Sequence, residues 1–483
     1  MRGRGHRDAS ARGKLAARRC GSRVAREGRP LTTVIAFVVV IGILILIHEW
    51  GHFVVARLSG VGVERFSIGF GPVLWRIKGK ETEYCLSAIP MGGYVKMMGD
   101  DENPLEGGKT DAVDPKKSFN LKPVWVRFLI VFAGPGMNFV LAVLLTALAF
   151  MVWGRPVVPA VVGRVADGSV AAQAGIKPGD RIVAVDGRPV QYWDEVLTQV
   201  QASKGRSLRL TVTDGGATRE IAVTPQRIAG RDIFGDEQDY WELGARQSVS
   251  DQATIGDVVP GGAAAKGGLK PADIIVSLEG QPITSWDELA DGISKRAGQA
   301  TVLGVKRGDQ VLTLTVTPAP TGPDGKGRIG ISHSMAPAVG AVFVRSDPLT
   351  AIREGVLKTW EWTQLTVKGM YKLITVQLAP SNIGGPIQIA AAAGEQARQG
   401  LPYLTLFTAL ISVNLAVLNL LPVPMLDGGH LLFFVCEAVL GRPISVRKRE
   451  IAQQVGFVLL MMLMVYAVYN DLSRLDVFHR FFR

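Results

Sequence analysis

The chain has 483 residues, 47% of them hydrophobic, with a mean hydropathy of +0.22; it is long enough for several domains and too apolar for an ordinary water-soluble globule. Its net charge of +12 is concentrated in residues 1–30, where ten Lys and Arg against Asp8 and Glu27 give +8 and leave +4 for the remainder. No basic stripe interleaved with aromatics remains outside that tail, which argues against a nucleic-acid partner, and three scattered cysteines (Cys20, Cys85, Cys436) argue against a disulfide framework or a thiolate metal site.

In chain order, four stretches are apolar over the roughly 20 residues that cross about 30 Å of hydrocarbon. They are residues 31–56, 128–154, 400–426 and 451–470. The first has no small-residue cleavage site and carries polar groups inside its apolar run, so it does not read as a removable signal peptide. Lys and Arg accumulate between the first two stretches (Arg57, Arg65, Arg76, Lys78, Lys80) and between the last two (Arg442, Arg447, Lys448, Arg449). Both loops are therefore expected on the cytoplasmic side of a lipid bilayer, with the long middle region outside. That orientation would send the basic tail outside against the same bias. Residues 1–30 are accordingly expected to be an extension from a wrongly assigned start, the true one lying near Leu31.

The first span ends in His48-Glu49-Trp50-Gly51-His52. In a helix, residues four apart share a face, so two imidazoles can hold one zinc ion while the glutamate reaches the attacking water. Ionisable side chains at membrane depth cost about 2.5 to 3.5 kcal/mol each on insertion scales, and metal ligation is a reason to keep them there. A catalytic zinc usually takes three protein ligands. The third is sought at the same depth, in "NLAVLNLLPVPMLDGGHLLFF" (414–434), where Asp427 is the sole acid and His430 competes with it. Pro422 and Pro424 break helical bonding there, and irregular backbone at that depth belongs beside a cavity or inside protein.

Residues 82–97, "TEYCLSAIPMGGYVKM", alternate in part around Gly92-Gly93 and are expected to form a hairpin re-entering the membrane beside the zinc. Its edge would pair with an unwound substrate. Further on, "AGIKPGDRIVAVDGRPVQYWDEV" (174–196) repeats at an offset of 93 residues as "GGLKPADIIVSLEGQPITSWDEL" (267–289), with eleven of 23 positions identical. Each copy reads as a short strand, an Asp-Gly or Glu-Gly turn and a helix opening at Trp-Asp-Glu. The pair resembles PDZ domains, which accept an extended peptide or a C-terminal carboxylate. From Pro348 to Pro380, Trp, Tyr and aliphatic residues alternate with Lys358, Lys368 and Lys372, as in a helix lying in the membrane interface or packing on a partner.

The predicted fold is thus a multi-pass α-helical membrane protein with four spans, a re-entrant β-hairpin and two inserted α+β PDZ-like domains. Its expected parts are 1–30 (basic extension), 31–59 (first span), 60–123 (cytoplasmic-side region with the hairpin), 124–154 (second span), 155–242 and 243–335 (PDZ-like domains), 336–398 (interfacial segment), 399–441 (third span) and 451–470 (fourth span).

HEWGH, "GFGP" (69–72), "IPMGGYVKM" (89–97), "AGPGMNF" (133–139), the tandem repeat, "GGPI" (384–387) and "NLLPVPMLDGGH" (419–430) occur in this order. Together they resemble the bacterial site-2 protease family, the zinc intramembrane proteases, over residues 31 to about 475. The resemblance implies one zinc ion on His48, His52 and Asp427, with Glu49 as general base. It also implies that Asn414 and Asn419 help hold substrate; Gly92 and Gly93, in the expected hairpin, are substrate-binding candidates from the residues themselves. By the same resemblance the substrates are single-pass membrane proteins already trimmed outside, such as an anti-sigma factor, and remnant signal peptides. The site would lie near the cytoplasmic side of the bacterial inner membrane, and the PDZ-like pair would filter substrates. A scaffold or a zinc-dependent transporter would not require Glu49 beside a complete ligand set.

Overall fold

The computed structural model describes residues 8–99, 114–232, 234, 236–247, 253–259, 261–283, 285–308, 310–321, 325–333, 342–378 and 383–474, with residues 8–30, 89–91, 231, 257, 287, 321, 333 and 474 described by their backbone alone. The expectation about the translation start concerns residues 1–30 and lies outside the described side chains. The chain divides into two compact units, Met1–Trp153 with Arg345–Arg483, and Gly154–Val344.

The first unit opens with α1 (Asp8–Leu58), in which Leu31–Leu58 is long and apolar enough to span a membrane. Two long strands follow, β1 (Val63–Lys78) and β2 (Glu83–Met97). Residues 63–68 register with 93–97, residues 65–68 also with 83–86, and residues 73–78 with 83–87. Four segments therefore lie side by side in the order 73–78, 83–87, 63–68, 93–97. This corrects the expected hairpin within 82–97: the partner is β1, which alternation inside 82–97 cannot reveal. Gly92, at φ +127°, is the bend between two segments of β2. The hairpin tip is tied to the end of α1 by Glu81, which accepts from Arg57 and, at 2.7 Å, from Lys117. Those cations, Lys117 first, hold its carboxyl down at about 2.

Next comes α2 (Val124–Val152), the second helix able to span. It packs antiparallel on α1 at close range, since a Cβ on Gly51 would stand 2.4 Å from Ala133 O. Small residues give membrane helices this approach, because lipid supplies no hydrophobic drive between them.

The second unit holds two small α+β cores built on one plan. The first comprises β3 (Arg155–Val157), β4 (Val162–Val165), α3 (Val170–Gln173), β5 (Arg181–Val185), β6 (Arg188–Pro189), α4 (Trp193–Ser203), β7 (Leu208–Thr213), β8 (Thr218–Val223), β9 (Gln226–Arg231), β10 (Glu237–Glu242) and β11 (Ala245–Gln247). Its main sheet runs β6-β5-β7-β8, and β11 pairs with β4. The second comprises β12 (Ala253–Val258), α5 (Ala263–Lys266), β13 (Ile274–Leu278), β14 (Gln281–Pro282), α6 (Trp286–Ser294), β15 (Thr301–Arg307), β16 (Gln310–Val316), β17 (Ala319–Thr321), β18 (Lys326–Arg328) and β19 (Ile331–His333). There β16-β15-β13-β12-β19 form the sheet, with β14 on β13.

The repeated turn takes one geometry in both copies. Asp186-Gly187 and Glu279-Gly280 all have positive φ, the form a two-residue hairpin turn demands. Ile182 and Leu210 in one core, and Ile275 and Leu303 in the other, are fully buried, each contributing about 1.5 to 3 kcal/mol. The expected boundary at 242/243 moves, because Leu243 and Ala245 belong to the first core and β11 completes it. A last strand, β20 (Val342–Val344), pairs back on β3.

The chain re-enters the first unit through α7 (Pro348–Ile374), capped by Asp347, whose side chain accepts from the N–H groups of Leu349 and Thr350. A Cβ on Gly355 would stand 2.7 Å from Val143 O of α2, and Trp362 and Met370 pack against the cluster of Ala142, Ala409 and Val413. One side of α7 thus packs on helices, while Ile352, Val356, Trp360, Tyr371 and Ile374 of the segment expected to meet the interface are exposed; residues 336–341 and 379–382 of that segment lie outside the described ones. Then follow α8 (Pro386–Gln399), α9 (Leu401–Asn419), α10 (Asp427–Leu440) and α11 (Val446–Arg474). Buried Asp471 of α11 accepts from the N–H groups of Gly385, Ile387 and Gln388, so the GGPI segment is the capped start of α8.

The segment 399–441 is broken at Pro422 and Pro424, as expected, and splits into two helices. Helix α9 stops at Asn419, before Pro422 and Pro424, whose rings and missing N–H groups cannot continue it, and α10 starts afresh at Asp427. A Cβ on Gly428 would stand 2.2 Å from Leu421 O, and one on Gly429 2.3 Å from Val423 O. The Gly pair is what lets α10 begin directly against the turn. Arg127 of α2 ties α10 down, at 2.6 Å to Glu437 and with its guanidinium over Phe434.

Leu31–Leu58, Val124–Val152, Leu401–Asn419 and Val446–Ser473 are each long and apolar enough to cross a membrane. On α11 the exposed Val455, Phe457, Val458, Met462 and Val465 form an apolar surface of a kind that needs lipid or protein cover.

Candidate metal centre

Three elements distant in sequence converge on one point. The face of α1 carrying His48 and His52 meets α2, and the first turn of α10 brings Asp427 beneath them. One ligand atom from each of the three lies within 4.8 Å of the others. His48 Nε2 is 3.1 Å from Asp427 Oδ2, and His52 Nε2 is 3.6 Å from Asp427 Oδ1. The two imidazole Nε2 atoms are 3.3 Å apart. Both histidines are 8% exposed.

The antiparallel crossing of α1 and α2 sets this geometry. His52 lies opposite Gly134, where a Cβ would stand 2.2 Å from Nε2, so the gap at the first glycine of AGPGMNF is room for an imidazole. His52 Nδ1 is 2.9 Å from Ile130 O. A proton donated there leaves the lone pair on Nε2, directed at the cluster, which is the usual outer-shell arrangement of a metal-binding histidine. One turn along, His48 lies opposite Asn138.

The donor set fits zinc. Two imidazole nitrogens and one carboxylate oxygen are a set catalytic zinc sites use, with a position left open. Asp427 Oδ2 is buried and has no hydrogen-bond partner among the described residues, despite its approach to His48. An orphan acceptor facing two ring nitrogens is what a cation would satisfy. His430, the competing ligand, lines the cavity but stands outside the three-residue cluster.

The cavity beside the cluster is about 290 Å³ and is lined by His48, Glu49, His52, Gly93, Tyr94, Val95, Met97, Phe119, Val131, Asp427, His430 and Phe434. Glu49 therefore faces the same space as the three ligand candidates, and β2 supplies the opposite wall. Gly93 is part of that wall, while Gly92 packs against the Phe70 ring. Asn414 and Asn419 are not among the cavity walls. Asn414 Oδ1 accepts from Thr366 Oγ1 of α7 at 2.6 Å, and Asn419 ends α9. Sequence reasoning missed Asn138, Phe119 and Phe434. Asn138 carried a faint signal, as an amide inside an uncharged span; the two phenylalanines carried none, since aromatic residues are common in any core.

A model of peptidase family M50 matches residues 36–463. The regulator of sigma-E protease RseP of Escherichia coli (strain K12) is 40% identical over 450 residues, covering 91% of this chain and 98% of the relative. Protease RseP of Yersinia pestis is 39% identical over 461 residues (92% and 99%). A putative zinc metalloprotease of Vibrio cholerae is 36% identical over 459 residues (91% and 98%). Among solved structures, the PDZ domain of an SdrC-like protein from Listeria monocytogenes is 24% identical, covers 17% of this chain and 87% of that one, and has a TM-score of 0.16. With the His-Glu-x-x-His helix, the Asp427 ligand candidate and a match over most of its length, the chain belongs to peptidase family M50 and is a zinc metalloendopeptidase.

Proposed function

We propose that this endopeptidase cuts within the membrane-spanning segments of single-pass proteins already trimmed outside. The observation that carries the reading is the convergence of His48, His52 and Asp427 on one cavity wall with Glu49, on helices long and apolar enough to span. One zinc ion per chain would be held by His48, His52 and Asp427. When bound, such an ion polarises a scissile carbonyl and acidifies water. Glu49 takes the proton of the attacking water and passes it to the leaving amine.

A helical substrate hides its carbonyls in its own hydrogen bonds and has to be unwound before attack. The segment 93–97 is an edge: it registers with 63–68 on one side and lines the cavity. Its backbone would take the unwound substrate as an added strand, with the hairpin re-entering the membrane and Gly92 and Gly93 keeping that edge close to Glu49. Asn414 and Asn419 would hold the substrate from α9; for Asn414 this requires its bond to Thr366 to open.

The likeness to regulators of sigma-E protease supports an anti-sigma factor as substrate, so that cleavage frees a cytoplasmic fragment acting on transcription in an envelope stress response; remnant signal peptides are a second class. The chain would sit in the bacterial inner membrane, with Lys and Arg of the loops at 57–80 and 442–449 inside, the zinc site near that side and the repeats outside. As PDZ-like domains, the repeats would exclude untrimmed substrates, through peptide or C-terminus binding.

The test is cleavage of a trimmed anti-sigma factor's membrane segment in liposomes, comparing wild type, Glu49→Gln and chelator-treated enzyme. Only the wild type should cut. Equal cleavage by all three would sink the reading.

A further inference from the structure

His52 has its outer-shell acceptor in Ile130 O, but the corresponding partner of His48 is an amide. Asn138 is fully buried in α2, with Nδ2 3.2 Å from His48 Nδ1. Its backbone carbonyl accepts from Ser412 Oγ of α9 at 2.8 Å, so the turn that carries it is pinned between two neighbouring helices. Its Oδ1 is buried and has no hydrogen-bond partner among the described residues.

The two orientations of this amide have opposite chemical consequences. With Nδ2 inward, Nδ1 of His48 is the acceptor, and the proton of the neutral ring sits on Nε2, between the ring and Asp427. With the amide turned over, Oδ1 accepts from Nδ1–H, and Nε2 keeps the lone pair that ligation needs. The outward Oδ1 makes no bond that the half-turn would break.

We infer that Asn138 is a positioning residue of the metal site: its Oδ1 holds His48 Nδ1–H, fixing the tautomer and ring plane in which Nε2 faces His52 and Asp427. This role rests on His48 being a zinc ligand. Outer-shell acceptors of this kind typically change metal affinity by about 10- to 100-fold when removed. The crossing of α1 and α2 thus equips both histidines from one helix, His52 through the Ile130 carbonyl and His48 through the Asn138 side chain.

Two near-isosteric variants of the full-length, detergent-solubilised holoenzyme separate this role from mere packing. Asn138→Leu fills the space and accepts nothing; Asn138→Asp accepts but cannot donate. Measured by chelator competition, zinc affinity should fall about 10- to 100-fold in Asn138→Leu and stay near wild type in Asn138→Asp. Equal loss in both variants, or none in Asn138→Leu, overturns the role. If Asn138→Leu does not fold, ¹⁵N-histidine NMR of the zinc-stripped wild-type protein decides, because there no metal fixes the tautomer: a proton on His48 Nδ1 is expected, and one on Nε2 overturns it. His48→Ala keeping its zinc would instead sink the ligand assignment itself.

Discussion

A methyl group on Gly93 would stand 3.0 Å from Cγ of Glu49 and 2.8 Å from Ser67 O. The edge strand and Glu49, the proposed general base, are therefore as close as backbone and side chain allow, and any Cβ there has to push one of them away. Gly93→Ala should lower the cleavage rate on the order of 10²-fold, the usual result of displacing a catalytic group by about 1 Å. Zinc content should not change, since His48 and His52 face α2. Turnover at the wild-type rate would mean that the close approach is not used.

Asp427 and His430 share a cavity but not a cluster. Asp427→Asn should weaken zinc binding by more than the roughly 10- to 100-fold typical of outer-shell changes, whereas His430→Ala should keep the ion. Metal analysis after dialysis against a weak chelator reads both. Zinc retained in the first and lost in the second would reverse the assignment.

Much of this site was legible because its chemistry is local: HEWGH sets two imidazoles and a carboxylate on one helical turn, and the polar residues at membrane depth stand out against apolar neighbours. The pairing of β1 with β2 was not legible, because alternation reports which residues share a face and says nothing about which strand lies alongside. The break between α9 and α10 was legible only in part. Pro422 and Pro424 announced irregular backbone, but the close approach of Gly428 and Gly429 to the turn's carbonyls depends on the folded path. For 348–380, Trp and Lys on an amphipathic helix suit an interface and a helical neighbour alike, and the contact of Gly355 with α2 settles the packing only in three dimensions.

Asp471 caps α8 from α11 with three backbone hydrogen bonds of 2.9 to 3.1 Å. Asp471→Ala would remove the acceptor those N–H groups share, with Gly385 itself buried, and should cost about 2 kcal/mol. Asp471→Asn keeps an acceptor and should cost less. Thermal unfolding of the solubilised protein distinguishes the two; identical melting of Asp471→Ala and wild type would rule out the cap as a stabilising contact.

The two repeats neutralise the same buried aspartate from different strands. Asp180 is 2.5 Å from Arg219 of β8, and Asp273 is 2.7 Å from Arg307 of β15. Burial alone would push the Asp273 carboxyl up, but hydrogen bonds from Arg307 and the Lys270 N–H outweigh it and hold the group below its ordinary value. A folded value below the unfolded one adds stability that is present above the ordinary carboxylate range and lost as pH falls through the folded value. The protection factors of the β13 amides against hydrogen exchange should therefore fall in acid. Asp273→Asn should cost about 1 to 3 kcal/mol at neutral pH and flatten that acid response. An unchanged acid response in the variant would place its origin in another group.

The segments 73–78 and 93–97 are the two edges of one sheet, yet only the second lines the cavity. If substrate adds as a strand, the two edges should respond differently to proline, which removes a backbone donor. On an edge, proline is tolerated by the fold wherever its N–H would have pointed outward. Prolines placed one at a time along 93–97 should include positions that leave expression and zinc content intact but raise KM for a helical membrane substrate. The same scan along 73–78 should leave cleavage unaltered wherever the protein folds. A scan in which both edges tolerate proline equally, with normal cleavage, would eliminate strand addition and leave the hairpin as a wall of the site.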